Sequence, residues 1–300
     1  MDAAPAHRPV AGILWMFATG FSFVAMTAGV KHVGAEVPAA QSAFLRFALG
    51  LVFLLPLVGQ ITTLRPGRTV LWLTTLRGIV HTGAVILWFY AMTQIPLAEV
   101  TAMNYLNPIY VTLGAALFLG EKLALRRLIA VGAALLGALI ILRPGFREIS
   151  PGHIAMLGTA AGLAASYLVA KRLSSELNAS TVVALLSLTV TIMLAPFAWA
   201  VWVPVTGHQL FWLFLVAGFA TLGHYTMTRA FAAAPVTVTQ PVTFLQLLWA
   251  TLLGALVFGE AVDGWVILGG GIIMSAVLFI TWREAVIRRR AVTPALDVLR

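Results

Sequence analysis

The chain of 300 residues has no cysteine, which excludes disulfides, iron–sulfur clusters and thiol catalysis together. It is nearly as poor in charge: Asp, Glu, Lys and Arg make up 10% of the residues, where soluble domains carry about 25%. Its acids are Asp2, Glu36, Glu99, Glu121, Glu148, Glu176, Glu260, Asp263, Glu284 and Asp297, and none falls in the middle of an apolar run. Carriers of permanent cations need a buried carboxylate as counter-charge, so that absence disfavours them. No HExxH, no acidic pair for a metal and no convergent Ser/His/Asp set is present, so no cofactor is expected and an intramembrane enzyme lacks its chemistry. A basic stripe interleaved with aromatics is also missing, and the net charge of +9 therefore does not point to nucleic acid.

What the chain does have is apolar length. Hydrophobic residues make up 61% and the mean hydropathy is +0.98, which places it in a lipid bilayer as a multi-pass protein. Breaks at charges, Pro and Gly divide it into ten segments near 10–30, 38–59, 69–92, 97–118, 123–142, 152–171, 180–203, 208–232, 236–258 and 263–282. Each is about 20 residues, the length that crosses a hydrocarbon core of about 30 Å as a helix. The runs are continuous instead of alternating, so the expected class is all-α and not a barrel. Segment 1 is too long for a cleaved signal and is expected to stay.

The pattern is written twice. "LFLGEKL" at 117–123 and "LVFGEAV" at 256–262 end two apolar runs with the same Gly-Glu pair, 139 residues apart. The same offset matches Pro96 with Pro235 and Gly132 with Gly271, while an offset of 140 matches Gly12 with Gly152 and Lys31 with Lys171. Five helices per copy is odd, so the second copy enters the bilayer from the opposite side and the halves form an inverted repeat. The expected divisions are 1–145, 146–285 and a basic cytoplasmic tail at 286–300. With the N-terminus inside, thirteen basic residues face the inner side and three, Lys31, Arg143 and Arg147, the outer. That excess puts both termini in the cytoplasm and the chain in the cell inner membrane. Gly120-Glu121 and Gly259-Glu260 are expected as helix stops, each glutamate facing the positive end of the next helix.

The stretch "FYAMTQIPLAEVTAMNYLNPIYVTLGAALFLGEKLALRRLIAVGAALLGALII", with Pro108 in mid-helix and Gly120-Glu121 at its end, resembles the drug/metabolite transporter superfamily in its ten-helix EamA-type branch. "FLRFALG" around Arg46 is similar to that family's segment 2 pattern. The second copy departs by carrying Leu247 in place of Pro108 and by having no counterpart of Arg46. The resemblance implies a small-metabolite transporter working by alternating access, and within the branch it looks most like the aromatic amino-acid exporters.

Intramembrane polar groups are costly and are therefore the candidate substrate contacts. Arg77, His81 and Trp88 share one face of segment 3. Thr101, Asn104, Tyr105 and Pro108 mark one side of segment 4, and Gln240 and Phe244 occupy the matching part of segment 9. Arg46, Tyr167 and His224 complete the set. Asn107 and Gln246 serve equally as contacts or as glue between helices. These residues suit a zwitterion or an anion, an amino acid with an apolar side chain foremost. A multidrug or other metabolite carrier, and a non-transporting scaffold, stay open. Glycines 132 and 137, and 269–271, invite close packing, inside a monomer first and in a dimer second.

Overall fold

The computed structural model describes residues 9–57, 59, 63, 65–119, 125–146, 148–173, 175–234 and 236–292. Its helices in chain order are α1 (Pro9–Val33), α2 (Ala39–Gly50), α3 (Arg68–Gln94), α4 (Leu97–Asn104), α5 (Asn107–Leu119), α6 (Leu125–Leu142), α7 (Pro151–Leu173), α8 (Ala179–Ala200), α9 (Gly207–Ala233), α10 (Val236–Thr239), α11 (Leu245–Phe258) and α12 (Gly264–Val292). A 3-10 stretch, Leu51–Leu57, extends α2, and another, Gln240–Phe244, joins α10 to α11. Among the described residues nine helical stretches are long and apolar enough to cross a membrane. The remaining segment is missing from that number because it is broken into α4 and α5, of 8 and 13 residues.

The breaks have a backbone cause. Pro108 cannot donate to a carbonyl one turn earlier, and its ring crowds that carbonyl. The chain responds by tightening ahead of it, with Tyr105 N donating to Ala102 O at 3.2 Å and Leu106 N to Met103 O at 3.0 Å. In the second half Pro241 lies within the 3-10 turn itself. The two prolines are not 139 residues apart, yet both crossings lose their α-helical ladder part-way along, at 105–106 and at 240–244. α12, in contrast, runs ten residues past the expected 282. Charge ends a membrane span but not a helix, and the first helix-breaking residue beyond it is Pro294.

Capping follows local sequence. Asn178 accepts from Thr181 N at 2.8 Å, and Thr206 with Gln209 forms a reciprocal capping box at the start of α9. Gly259 closes α11 at φ 64°, a left-handed conformation that costs glycine little. The glutamate after it departs from expectation. Glu260 Oε2 accepts from Leu97 N at 2.9 Å, capping α4 of the other half, while α12 takes its cap from Asp263, which accepts from Trp265 N at 2.9 Å. The first Gly-Glu pair, 120–121, lies outside the described residues.

Helices pack across the two halves of the chain: α1 on α9, α3 on α7, α2 on α8, α4 on α11 and α6 on α12. Loops after α1, α3, α6, α8 and α11 meet at one end, the far end, away from the start of α1. Gln41 ties that end, donating to Val203 O at 2.8 Å and accepting from Val203 N at 2.9 Å. Apolar side chains dominate the outside, including Leu14, Trp72, Leu136, Trp199 and Leu256, as lipid-facing helices require. Two helix backbones approach closely where α6 meets α12: a Cβ on Gly269 would stand 2.5 Å from Gly137 O.

That contact predicts a test. Gly269→Val should lower unfolding stability in detergent by about 1–3 kcal/mol through overpacking. Gly132→Ala, with open space around it, should leave the thermal midpoint unchanged or raise it.

Candidate functional site

The polar residues converge where α2, α3, α7 and α9 face one another. Arg77, on α3, is 6% exposed. Its Nη1 donates to Val182 O of α8 at 3.0 Å and its Nε to Ser166 Oγ of α7 at 3.4 Å. It is thus spent on the protein and does not snorkel to headgroups. His81, one turn on, has Nδ1 3.1 Å from the same hydroxyl. Ser166 Oγ accepts from Arg77, and its own proton has no other acceptor, so it is given to His81 Nδ1. The imidazole then carries its proton on Nε2 and presents it as a donor.

Arg46, on α2, is a different case. It has no hydrogen bond or ion pair among the described residues, and its guanidinium rests 4.0 Å from the centre of the Phe47 ring. Phe47 in turn meets His81 edge-on at 6.3 Å. The charged and titratable groups within electrostatic reach of His81 are Arg77, Arg46 and His224, with no carboxylate among them. His224, on α9, packs edge-on to Phe23 at 5.3 Å and remains accessible to solvent. Tyr167 is 45% exposed and within reach of Arg77 and the Asn107 side chain.

The broken crossings supply the next wall. Tyr105 OH donates to Thr243 O at 2.9 Å, so a carbonyl in the second 3-10 turn is used by the first half of the chain. Trp88 Nε1, Asn104 Oδ1 and Asn107 Oδ1 are buried without a partner. Thr101 turns inward on its own helix, donating to Leu97 O at 2.9 Å. Phe244 packs against the main core. Gln246 lies across Gly20 of α1, where an added Cβ would meet its Cγ at 2.9 Å. The side chain of Gln240 lies outside the described residues.

Sequence reasoning missed two polar pairs. Thr19 and Thr226 share a buried hydrogen bond of 2.9 Å between α1 and α9. Glu99 and His153, 3% and 4% exposed, form a close pair between the first turns of α4 and α7. Their helix-start positions were visible in the sequence, but nothing in it linked the two helices. A separate groove of about 600 Å³ between α6 and α12 is almost wholly apolar, with Arg126 and Ser275 in its lining. None of the candidate site residues lines it, and its walls suit lipid.

A model of the "EamA-like transporter family" matches this chain twice, over residues 10–143 and 150–282. The chain belongs to the EamA-like transporter family. It is 29% identical to the riboflavin transporter of Vibrio cholerae, over 95% of this chain and 97% of that protein. It is 31% identical to the riboflavin transporter of Rhizobium johnstonii, over 94% of each, and 28% identical to the pseudopaline exporter of Pseudomonas aeruginosa, over 88% and 94%. A solved crystal structure 20% identical to it covers 90% of this chain and 96% of its own, at a TM-score of 0.58, a likeness of fold alone. The chain is therefore a multi-pass membrane protein of a family that carries small metabolites. The expected likeness to aromatic amino-acid exporters is replaced by relatives named for other solutes.

The geometry separates the two intramembrane arginines by experiment. Arg77→Lys loses the Nη1 bond to Val182 O, because an ammonium cannot span two diverging acceptors as a guanidinium does. Chemical denaturation in detergent should show a loss of about 1–3 kcal/mol, and no measurable loss would mean that those bonds do not hold α3 to α7 and α8.

Proposed function

We propose that this chain is a facilitative carrier of small metabolites in the cell inner membrane, with both termini cytoplasmic and two inverted five-helix halves that alternate access to one central site. The observation that carries it is Arg46: a guanidinium inside an apolar bundle with no acid and no hydrogen-bond acceptor of its own among the described residues. Arg46 is half-buried, and a charge held among apolar side chains is costly unless something partners it; a solute carboxylate or carbonyl edge is that partner. The twice-matched family model and the pairing of α1 with α9 as α3 pairs with α7 support the inverted repeat. α11 and α4, both broken, meet between the halves, where such carriers bind their solutes.

The site binds by donors. Arg46 and His81 both pack on the Phe47 ring, and Tyr167 lies within reach of Arg77 one turn from His81, a setting that suits a flat ring bearing acceptors. Riboflavin, the solute of two relatives, is such a molecule, and so are aromatic amino acids as zwitterions. S-adenosylmethionine, taken up by a Rickettsia felis relative 24% identical over 91% of this chain, carries a sulfonium cation. It fits a site of unpaired positive charge poorly. Among the described residues the histidines of the centre are His81 and His224, with no carboxylate beside them to relay a proton, so transport follows the solute's own gradient, which is export for a metabolite made inside.

Flux into liposomes tests the reading. Riboflavin and tryptophan should move and compete, whereas quaternary ammonium compounds should not. Arg46→Gln should abolish flux of a carboxylate-bearing solute while leaving thermal stability equal or higher, since it removes an unpaired charge. Preferred transport of the quaternary ammonium compounds, or an Arg46→Gln variant that transports normally, would sink the proposal. Imposing a pH gradient should cause no accumulation. Accumulation that disappears in His81→Gln or His224→Gln would show proton coupling instead.

A further inference from the structure

Among the described residues two ion pairs and one histidine–carboxylate contact join the first half of the chain to the second, and all three sit at the far end. Lys31, closing α1, lies with Nζ 2.5 Å from Glu260 Oε1 and also donates to Ile95 O at 2.9 Å. Arg143, after α6, pairs with Asp263, before α12. Glu99, in α4, pairs with His153, in α7. The three are not alike in surroundings. The side chains of Lys31 and Glu260 are 18% and 13% exposed and those of Arg143 and Asp263 26% and 25%, against 4% for each member of the Glu99–His153 pair.

Glu260 is the knot. Its one carboxylate holds the Lys31 ammonium on Oε1 and the Leu97 N–H on Oε2 at 2.9 Å. Through Leu97 it grips the first turn of α4, and it is itself the second residue after α11. Those two helices are the far-end halves of the two broken crossings, whose middles flank the candidate site through Tyr105 and Thr243. Whatever separates Glu260 from Leu97 and Lys31 therefore parts α4 from α11 at their far ends. Partly wetted ion pairs are the separable kind, since water replaces what each charge loses. A buried pair such as Glu99–His153 has no such replacement and stays.

We propose that Lys31–Glu260, backed by Arg143–Asp263, is the latch of the far entrance, and that Glu99–His153 is the fixed point about which the halves move. In this structure the latch is closed. Solute reaches Arg46 and Tyr167 from the far side only when Glu260 releases α4. This rests on the carrier reading, but its measurement does not require transport.

The absence of native cysteine makes the latch directly readable. Tyr167→Cys places a single thiol at an exposed position of the candidate site, and an impermeant maleimide added from one side or the other of oriented vesicles reports which entrance is open. Adding Glu260→Gln keeps an oxygen to accept from Leu97 N while removing the charge. Far-side labelling should then rise about tenfold, and near-side labelling should fall, as a shift between two states requires. Lys31→Gln should match it, and the double variant should not exceed either single one, because both break the same pair. Asp263→Asn should act in the same direction. Far-side labelling unchanged in both single variants, a rise from both sides at once, or an additive double variant would each overturn the latch. Solute flux measured without the Tyr167→Cys change reads the carrier separately: a parent chain that moves no solute removes that reading, whatever the labelling shows.

Discussion

Inside hydrocarbon a polar group has no water to fall back on, and everything in this chain follows from that. Backbone groups satisfy one another in helices, and hydroxyls do the same locally: Thr19 donates to Trp15 O, Ser22 to Ala18 O, Thr27 to Phe23 O and Ser275 to Gly271 O, each one turn back. Most Ser and Thr side chains thus cost little and specify nothing between helices. Among the polar bonds that do cross, Thr19 to Thr226, Tyr105 to Thr243 and the Ser166 cluster mark where helices must keep one register. Where the ladder itself fails, at 105–106 and 240–244, the freed carbonyl of Thr243 is at once taken by Tyr105. Two of the broken crossings, at 105–106 and 240–244, meet between the halves of the chain, where protein lies on both sides.

This constraint also explains how much could be read from the sequence. Ten segments were legible because length and hydrophobicity are local, and the helix limits fall within a few residues of expectation except at α12. The segment 4 break was legible only as Pro108, since the 3-10 tightening begins before the proline and depends on what the upstream carbonyls find. Partnerships between distant helix ends were not legible. Glu260 was expected to face the helix that follows it, and it caps α4 across the bundle instead, because a helix start 163 positions away in sequence is nearer in space than the dipole next door. Glu99 and His153 were invisible as a pair for the same reason: each reads as an ordinary polar residue at a helix start.

The site residues divide by a rule that sequence cannot apply. Arg46 and Arg77 look equivalent as single charges in apolar segments. Among the described residues Arg77 has two acceptors and Arg46 has none, so the same residue type is scaffold in one helix and unmet demand in the other. Ser166 makes the difference. Sitting between Arg77 and His81, its hydroxyl takes one proton and gives one, which quiets the first residue and orients the second.

The result is a centre that offers donors almost exclusively. Arg46 contributes guanidinium N–H groups and His81 its Nε2–H, while the nearby oxygens of Ser166 and Thr243 are already engaged. Among the described residues the amide oxygens of Asn104 and Asn107 are buried without a partner and remain as acceptors, enough for one ammonium or imide N–H. A solute that fits must bring most of the acceptors and few of the donors. On the proposed carrier reading the selectivity lies in an imbalance that the empty chain cannot resolve by itself, because among the described residues no acid lies within reach of His81 and the arginines beside it. Two oppositely charged partners would have made a stable, closed interior. One unmatched cation makes an interior that is lowest in free energy when occupied, and occupancy by a passing solute is what a carrier needs.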